Sequence, residues 1–192
     1  MFDANKLVES YLNESLELAE NQKELSDTIK EVSLLCIKCI DSGGKLILFG
    51  NGGSASDSQH IAAELVGRFQ LERKALPAIS LSSNISVVTA LANDFGYENI
   101  FLKQIEALAT DKDLLIALST SGQSQNILDA LNYSKGKGIK SIGLTGQDPG
   151  GMESCCDYLI KAPSSKPSLI QQSHITIGQL LCLIIEDYFF NK

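Results

Sequence analysis

His60 and Glu64 stand four residues apart in the stretch HIAAE, and on a helix that spacing puts both side chains on one face. An imidazole and a carboxylate so placed suit a metal ion, and they equally suit a surface pair. The carboxylate could also serve as a general base, moving a proton between adjacent carbons. Nearer the C-terminus, Gln171 and Gln179 lie eight apart. That is about 80° around a helix of 3.6 residues per turn, so both can face one site. Glutamines on an apolar helix need partners if buried, and otherwise mark a solvated edge. The second histidine, His174, points about 140° away from Gln179 and reads as a packing or interface residue.

Two segments have the composition of an anion cradle. One is Gly50-Asn51-Gly52-Gly53-Ser54-Ala55-Ser56, and the other is Ser119-Thr120-Ser121-Gly122-Gln123-Ser124. Glycines let the backbone approach a ligand, and the N–H groups that open a following helix then face a negative charge. Serine and threonine hydroxyls add donors without adding charge. Either loop alone reads as a tight turn; two such loops after two strands argue for a phosphate. Gly50-x-Gly52-x-x-Ala55 loosely fits a dinucleotide fingerprint, but the second strand ends in Ser80-Leu81-Ser82-Ser83 where that fingerprint expects a carboxylate. No Gly-Lys-Ser/Thr follows, so neither loop is a P-loop.

The elements that must position these residues alternate. Short apolar runs at Lys45–Phe49, Ala78–Leu81, Leu114–Leu118, Ser141–Leu144 and, more weakly, Tyr158–Ile160 read as buried parallel strands. Helical patterns lie between them near Ala55–Phe69, Ile100–Ala109 and Asn126–Lys135, with a last helix over about Ser168–Phe190. The expected fold is α/β: a doubly wound parallel five-stranded sheet flanked by helices. A single domain, 1–192, divides into an N-terminal helical extension (1–42) and an α/β core (45–192). The extension holds two helices, about Asp3–Glu20 and Ser26–Asp41, which precede any strand and are expected to pack across a partner subunit.

Composition limits the partners. Of 192 residues, 16 are Lys or Arg and 23 are Asp or Glu, a formal charge of −7, which argues against a basic groove for nucleic acid. No uninterrupted apolar run approaches the roughly 18 residues of a membrane span, and MFDANKLVES lacks the apolar stretch of a signal peptide. Five cysteines, including Cys36-x-x-Cys39, sit mostly in apolar periodic stretches and read as core thiols. These features point to a cytoplasmic protein.

The blocks FGNGGSASDSQHIAAELVGRF, ALANDFGYENIF, IALSTSGQSQNILDAL, LTGQDPGG and LIQQSHITIGQLLCLIIED together resemble the sugar isomerase (SIS) domain family, specifically the bacterial phosphoheptose isomerases. The resemblance covers nearly the whole chain. It implies aldose–ketose isomerisation of sedoheptulose 7-phosphate to D-glycero-D-manno-heptose 7-phosphate through an enediolate, supplying heptose for lipopolysaccharide or related glycans. It also implies a homotetramer with sites at subunit interfaces and one zinc ion per subunit. By the same resemblance Asn51, Gly52, Gly53, Ser54, Glu64, Arg68, Asn93, Asp94, Ser119, Thr120, Ser121, Ser124 and Gln171 bind substrate. His60, Glu64, Gln171 and the residue at 179 hold the metal, and Glu64 is the catalytic base.

One position departs. The family pattern places a histidine, metal ligand and general acid, where this chain has Gln179. A glutamine amide hydrogen-bonds and ligates weakly through its oxygen, but it cannot carry a proton near neutral pH. Three readings stand side by side: a substitution that disables the site, a natural enzyme working without the histidine, and a paralogue that binds phosphosugar without turnover. A non-catalytic relative that associates with a replication initiator is a further alternative, and retention of Glu64 argues against it. A phosphosugar sensor is another, weakened by the lack of a DNA-binding segment.

Overall fold

The computed structural model describes residues 2–191. Helix α1 (Ala4–Gln22) starts at Asp3, whose side chain accepts from the Lys6 N–H at 3.1 Å. Helix α2 (Ser26–Asp41) follows after one 3-10 turn, and Gly43 at φ 81° reverses the chain into the first strand.

The strands are β1 (Leu46–Gly50), β2 (Ala78–Ser80), β3 (Leu114–Leu118), β4 (Lys140–Thr145) and β5 (Tyr158–Lys161). They form one all-parallel sheet in the order β2-β1-β3-β4-β5. Residues of β1 and β3 are buried throughout, so their apolar runs are continuous rather than alternating. The two faces are nevertheless distinct. Leu46, Leu48, Leu114 and Ile116 point into one core, and Ile47, Phe49, Leu115 and Ala117 into the other. The first core is covered by α2, α3 (Gly53–Val66) and α8 (Pro167–Phe190). The second is covered by α5 (Ile100–Leu108) and α6 (Gln125–Gly136), with Met152 and Cys155 of the short α7 (Met152–Cys155).

The expected α/β fold is therefore observed, with two differences of detail. Helix α3 stops at Val66 rather than continuing to Phe69, because the backbone beyond Gly67 is held by a buried side chain of α8. Helix α4 (Ile85–Phe95) was not read from the sequence; Asn84 caps it by accepting from the Val87 N–H at 3.2 Å. It buries no residue, and Ile85 is 72% exposed. Helix α8 is long and apolar enough by composition to cross a membrane, yet half of that stretch is buried inside the fold. Its apolar side packs on α2 and α3, with Ile177, Leu181 and Ile185 in the core. All five cysteines are free thiols, four of them buried and Cys156 partly so.

Candidate active site

Strand order reverses between β1 and β3, and their register, Leu46 beside Leu114 to Gly50 beside Leu118, brings the two polar loops out side by side. A crevice opens at such a switch point beyond the carboxyl ends of the strands. Asn51 and Asn126 close its floor with a reciprocal amide pair, Asn51 Nδ2 donating to Asn126 Oδ1 at 2.9 Å and Asn126 Nδ2 to Asn51 Oδ1 at 3.0 Å. The Tyr97 hydroxyl donates to the same Asn51 oxygen at 2.9 Å.

Each loop is built for close approach. Gly52, at φ 55°, begins α3 with no side chain capping the helix. A Cβ on Gly53 would lie 2.5 Å from Nε2 of Gln171, so the absence of a side chain lets α8 lay Gln171 on the turn. In the second loop Gly122 sits at φ 62°, and a side chain there would run into the Pro149 carbonyl. The Gly122 N–H donates to Ser119 Oγ at 3.2 Å, and Ser119 and Ser124 hydroxyls are 3.3 Å apart. Ser124 is the N-cap of α6, again without a side-chain cap. Two helix N-termini thus present backbone N–H groups at one crevice, an arrangement suited to phosphate.

On α3, His60 Nε2 lies 3.0 Å from Glu64 Oε1, both accessible to solvent. Helix α8 crosses α3 closely: a Cβ on Gly178 would strike the Ile61 side chain, and the Cys182 thiol reaches the Ile61 carbonyl. Gln171 is half-buried and Gln179 exposed. Ser54 is buried, Thr120 half-buried and Ser121 exposed. Asn93 donates to Asp94 at 2.8 Å on the exposed end of α4. Arg68 is exposed just past the end of α3. The structure thus joins the Asn51 turn to Gln171 and His60 to Glu64, while Asn93, Asp94, Arg68 and Gln179 stand open.

Among the described residues no group of three or more His, Cys, Asp and Glu stands together. A metal here would take one imidazole and one carboxylate, from His60 and Glu64, and would need amide oxygens beyond them. One turn before His60, Asp57 has a buried carboxylate oxygen with no hydrogen-bond partner; burial pushes its pKa up and the nearby His60 pulls it back. His174 is fully buried, as its reading as a packing residue requires. Its Nε2 meets the Thr145 carbonyl at 3.1 Å, and burial pushes its pKa down to about 4.

Asn126, Tyr97 and Asp57 were not singled out in the sequence, although Asn126 lies in IALSTSGQSQNILDAL and Tyr97 in ALANDFGYENIF. Their relation to Asn51 and His60 appears only once the strands are adjacent.

A SIS domain model matches residues 10–146. A phosphoheptose isomerase of Nitratiruptor is 48% identical over 180 residues, covering 90% of this chain and 96% of the relative. The chain belongs to the phosphoheptose isomerases of the SIS domain family. Phosphoheptose isomerase 2 of Campylobacter jejuni is 43% identical over all of this chain and 97% of its own. The solved phosphoheptose isomerase of Francisella tularensis superposes with a TM-score of 0.93 at 32% identity, over 97% of this chain and all of that one. For a phosphoheptose isomerase fold, then, the two loops and the α3–α8 pair are where the family's chemistry must be sought.

Proposed function

We propose that this chain interconverts sedoheptulose 7-phosphate and D-glycero-D-manno-heptose 7-phosphate. The observation that carries the reading is the meeting of two uncapped helix N-termini at the β1–β3 switch point, with Gln171 laid on Gly53 and the His60–Glu64 pair on the same helix. In this reading Ser119, Thr120, Ser121 and Ser124 hold the phosphate. Asn51, Gly52, Gly53, Ser54, Asn93, Asp94, Arg68 and Gln171 hold the sugar hydroxyls.

The reaction moves one hydrogen from C1 of the ketose to C2 of the aldose. Glu64 takes the proton from C1, electrons flow toward the C2 oxygen, and an enediolate forms. Returning the proton to C2 while O1 becomes the aldehyde oxygen completes the exchange. The oxygens must also pass a proton, and Gln179 can only hold a water for that step, since its amide does not titrate. His60, Glu64, Gln171 and Gln179 are the residues that would hold a zinc ion, an imidazole and a carboxylate as strong ligands and two amide oxygens as weak ones. Bound there, zinc would polarise the substrate's carbonyl and hydroxyl oxygens.

Assembly as a homotetramer with shared sites is part of the proposal. The α1 residues Leu7, Val8, Leu12 and Leu16 are exposed, and so are Ile85 and Phe95 of α4. The cavity at the Asn51 turn is about 90 Å³, whereas ligand pockets run from about 300 Å³ upward. A second copy would supply the missing walls. We also place the protein in the cytoplasm, making heptose for surface glycans, without a membrane or nucleic-acid partner. The family relationship, together with the retained Glu64, does not favour a purely non-catalytic role.

Incubation with sedoheptulose 7-phosphate and zinc in deuterated water, followed by NMR, tests the reading. Aldose carrying deuterium at C2 is expected. Ketose that neither isomerises nor exchanges, while still binding, would overturn it. Restoring a titratable group with Gln179→His is expected to raise kcat by about 10²-fold, the lower end of what a general acid supplies.

A further inference from the structure

The side chains of Arg73 and Glu186 are each only 2% exposed, and they meet at 2.9 Å between the end of α3 and the last turns of α8. The pair does more than neutralise itself. Arg73 Nη2 donates to the Glu64 carbonyl at 2.8 Å. Its Nη1 donates to the carbonyls of Leu65 at 2.7 Å, Lys74 at 3.0 Å and Gly67 at 3.2 Å. These include the last carbonyls of α3, which have no partner within the helix. Glu186 in turn accepts the N–H groups of Phe69 at 3.1 Å, Gln70 at 2.7 Å and Leu71 at 2.9 Å. The Phe190 ring lies 5.6 Å from the guanidinium and closes the cluster.

Two site residues hang on this cluster. Glu64 has its own carbonyl tied to Arg73, and exposed Arg68 lies in the segment Gly67–Leu71, which the pair grips from both ends. On α8, Glu186 follows Gln179 by seven residues, within about 20° of it around the helix. One buried ion pair therefore sets the helix bearing Glu64 against the helix bearing Gln171 and Gln179.

We propose that Arg73 and Glu186 are positioning residues for the isomerisation, fixing the Glu64 carboxylate relative to the α8 side of the site. This rests on the function proposed above. A lysine at 73 would keep the charge but could not fork to four carbonyls, and a glutamine at 186 would keep the shape but lose an acceptor. Misplacing a base by about 1 Å costs on the order of 10² in rate, so the effect belongs in kcat. Phosphate is held at the far loop and is not expected to sense the change.

The test compares wild type with Arg73→Lys and Glu186→Gln, each checked for fold by circular dichroism and for phosphate affinity by competition with inorganic phosphate. The expected result is kcat lowered by about 10- to 100-fold, with KM and phosphate affinity within about threefold. Folded variants with unchanged kcat, or with losses confined to KM, would overturn the proposal. Two variants that both fail to fold would make the pair a folding determinant only, and would overturn it too. A wild type inactive on sedoheptulose 7-phosphate would instead refute the underlying function, a result separable from all of these.

Discussion

The two ends of α3 are treated in opposite ways. At the N-terminus, Gly52 and Gly53 leave the first N–H groups uncapped and facing the crevice. At the C-terminus, a buried guanidinium takes up the carbonyls of Glu64 and Leu65. The first end has no side-chain cap; the second has its carbonyls tied to a buried guanidinium. In the proposed reading the catalytic carboxylate, Glu64, sits at the sealed end and the substrate turn at the open one. Rigidity and vacancy are thus assigned to different termini of one helix.

The largest effect should come from chemistry that neither end can replace. Glu64→Gln keeps a side chain able to hydrogen-bond His60 but removes the base. Turnover should fall by about 10² to 10⁴ with little loss of stability. A thermal melt alongside the NMR assay checks both halves; retained turnover would show that another group moves the proton.

Next comes the sealed end. Arg73→Ala leaves Glu186 buried with its charge opposed only by three N–H groups. Burial pushes the Glu186 pKa up, and those N–H groups and Arg73 together outweigh it and hold the carboxyl below its ordinary value. Breaking such a pair costs about 3–5 kcal/mol, measurable by urea unfolding. Replacing both members by apolar residues, Arg73→Met with Glu186→Leu, avoids the unpaired buried charge but leaves the carbonyls and N–H groups that the pair satisfied without partners, so only part of that stability is expected to return. If the double variant is folded at the assay temperature yet turns over slowly, the pair's contribution to rate is separated from its contribution to folding.

His174 extends the contrast to the depth of α8. Its ring is held neutral in the fold at a pKa of about 4, against 6.5 for a free imidazole. The folded-state pKa is depressed, so the unfolded chain binds the proton first. Stability is full above about pH 6.5 and falls as pH drops toward 4, by about 3 kcal/mol in all. Unfolding of wild type and His174→Gln at pH 7 and pH 4.5 checks this: the variant should show a shallower acid slope. An equal slope in both would place the acid sensitivity elsewhere.

How much of this could be read in the sequence follows the same division. Strands β1 and β3 announce themselves because a strand buried on both faces is apolar at every position. The open loops announce themselves because glycine and serine clusters have few other uses. The sealed end does not. Arg73 and Glu186 are 113 residues apart and carry no local pattern, so α3 was extended to Phe69 when in fact Glu186 claims the backbone beyond Gly67. Helix α4 was missed for a different reason: it is short, and Val88, Leu91 and Ala92 pack on the second core only partly buried while Ile85 and Phe95 point outward, so its apolar stripe is ill-defined. Gln179 stands out as a departure only against the family pattern, since its spacing from Gln171 shows a shared face and not what residue the chemistry would want there.

The smallest effect probes the open end. Asn51 Oδ1 accepts from both Tyr97 and Asn126, which fixes its amide with Nδ2 turned toward Asn126. Tyr97→Phe removes one of the two donors, and the reciprocal pair with Asn126 still holds the amide. The hydroxyl is exposed, so water takes its place, and the cost should be about 0.5–1 kcal/mol. Because the Asn51 turn binds substrate in the proposed reading, the loss should appear as a two- to fivefold rise in KM with kcat almost unchanged. Arg73→Lys is expected to do the reverse. Should Tyr97→Phe lower kcat instead, the Asn51 turn would be positioning the reacting carbons, and the division of labour between the two ends of α3 would have to be redrawn.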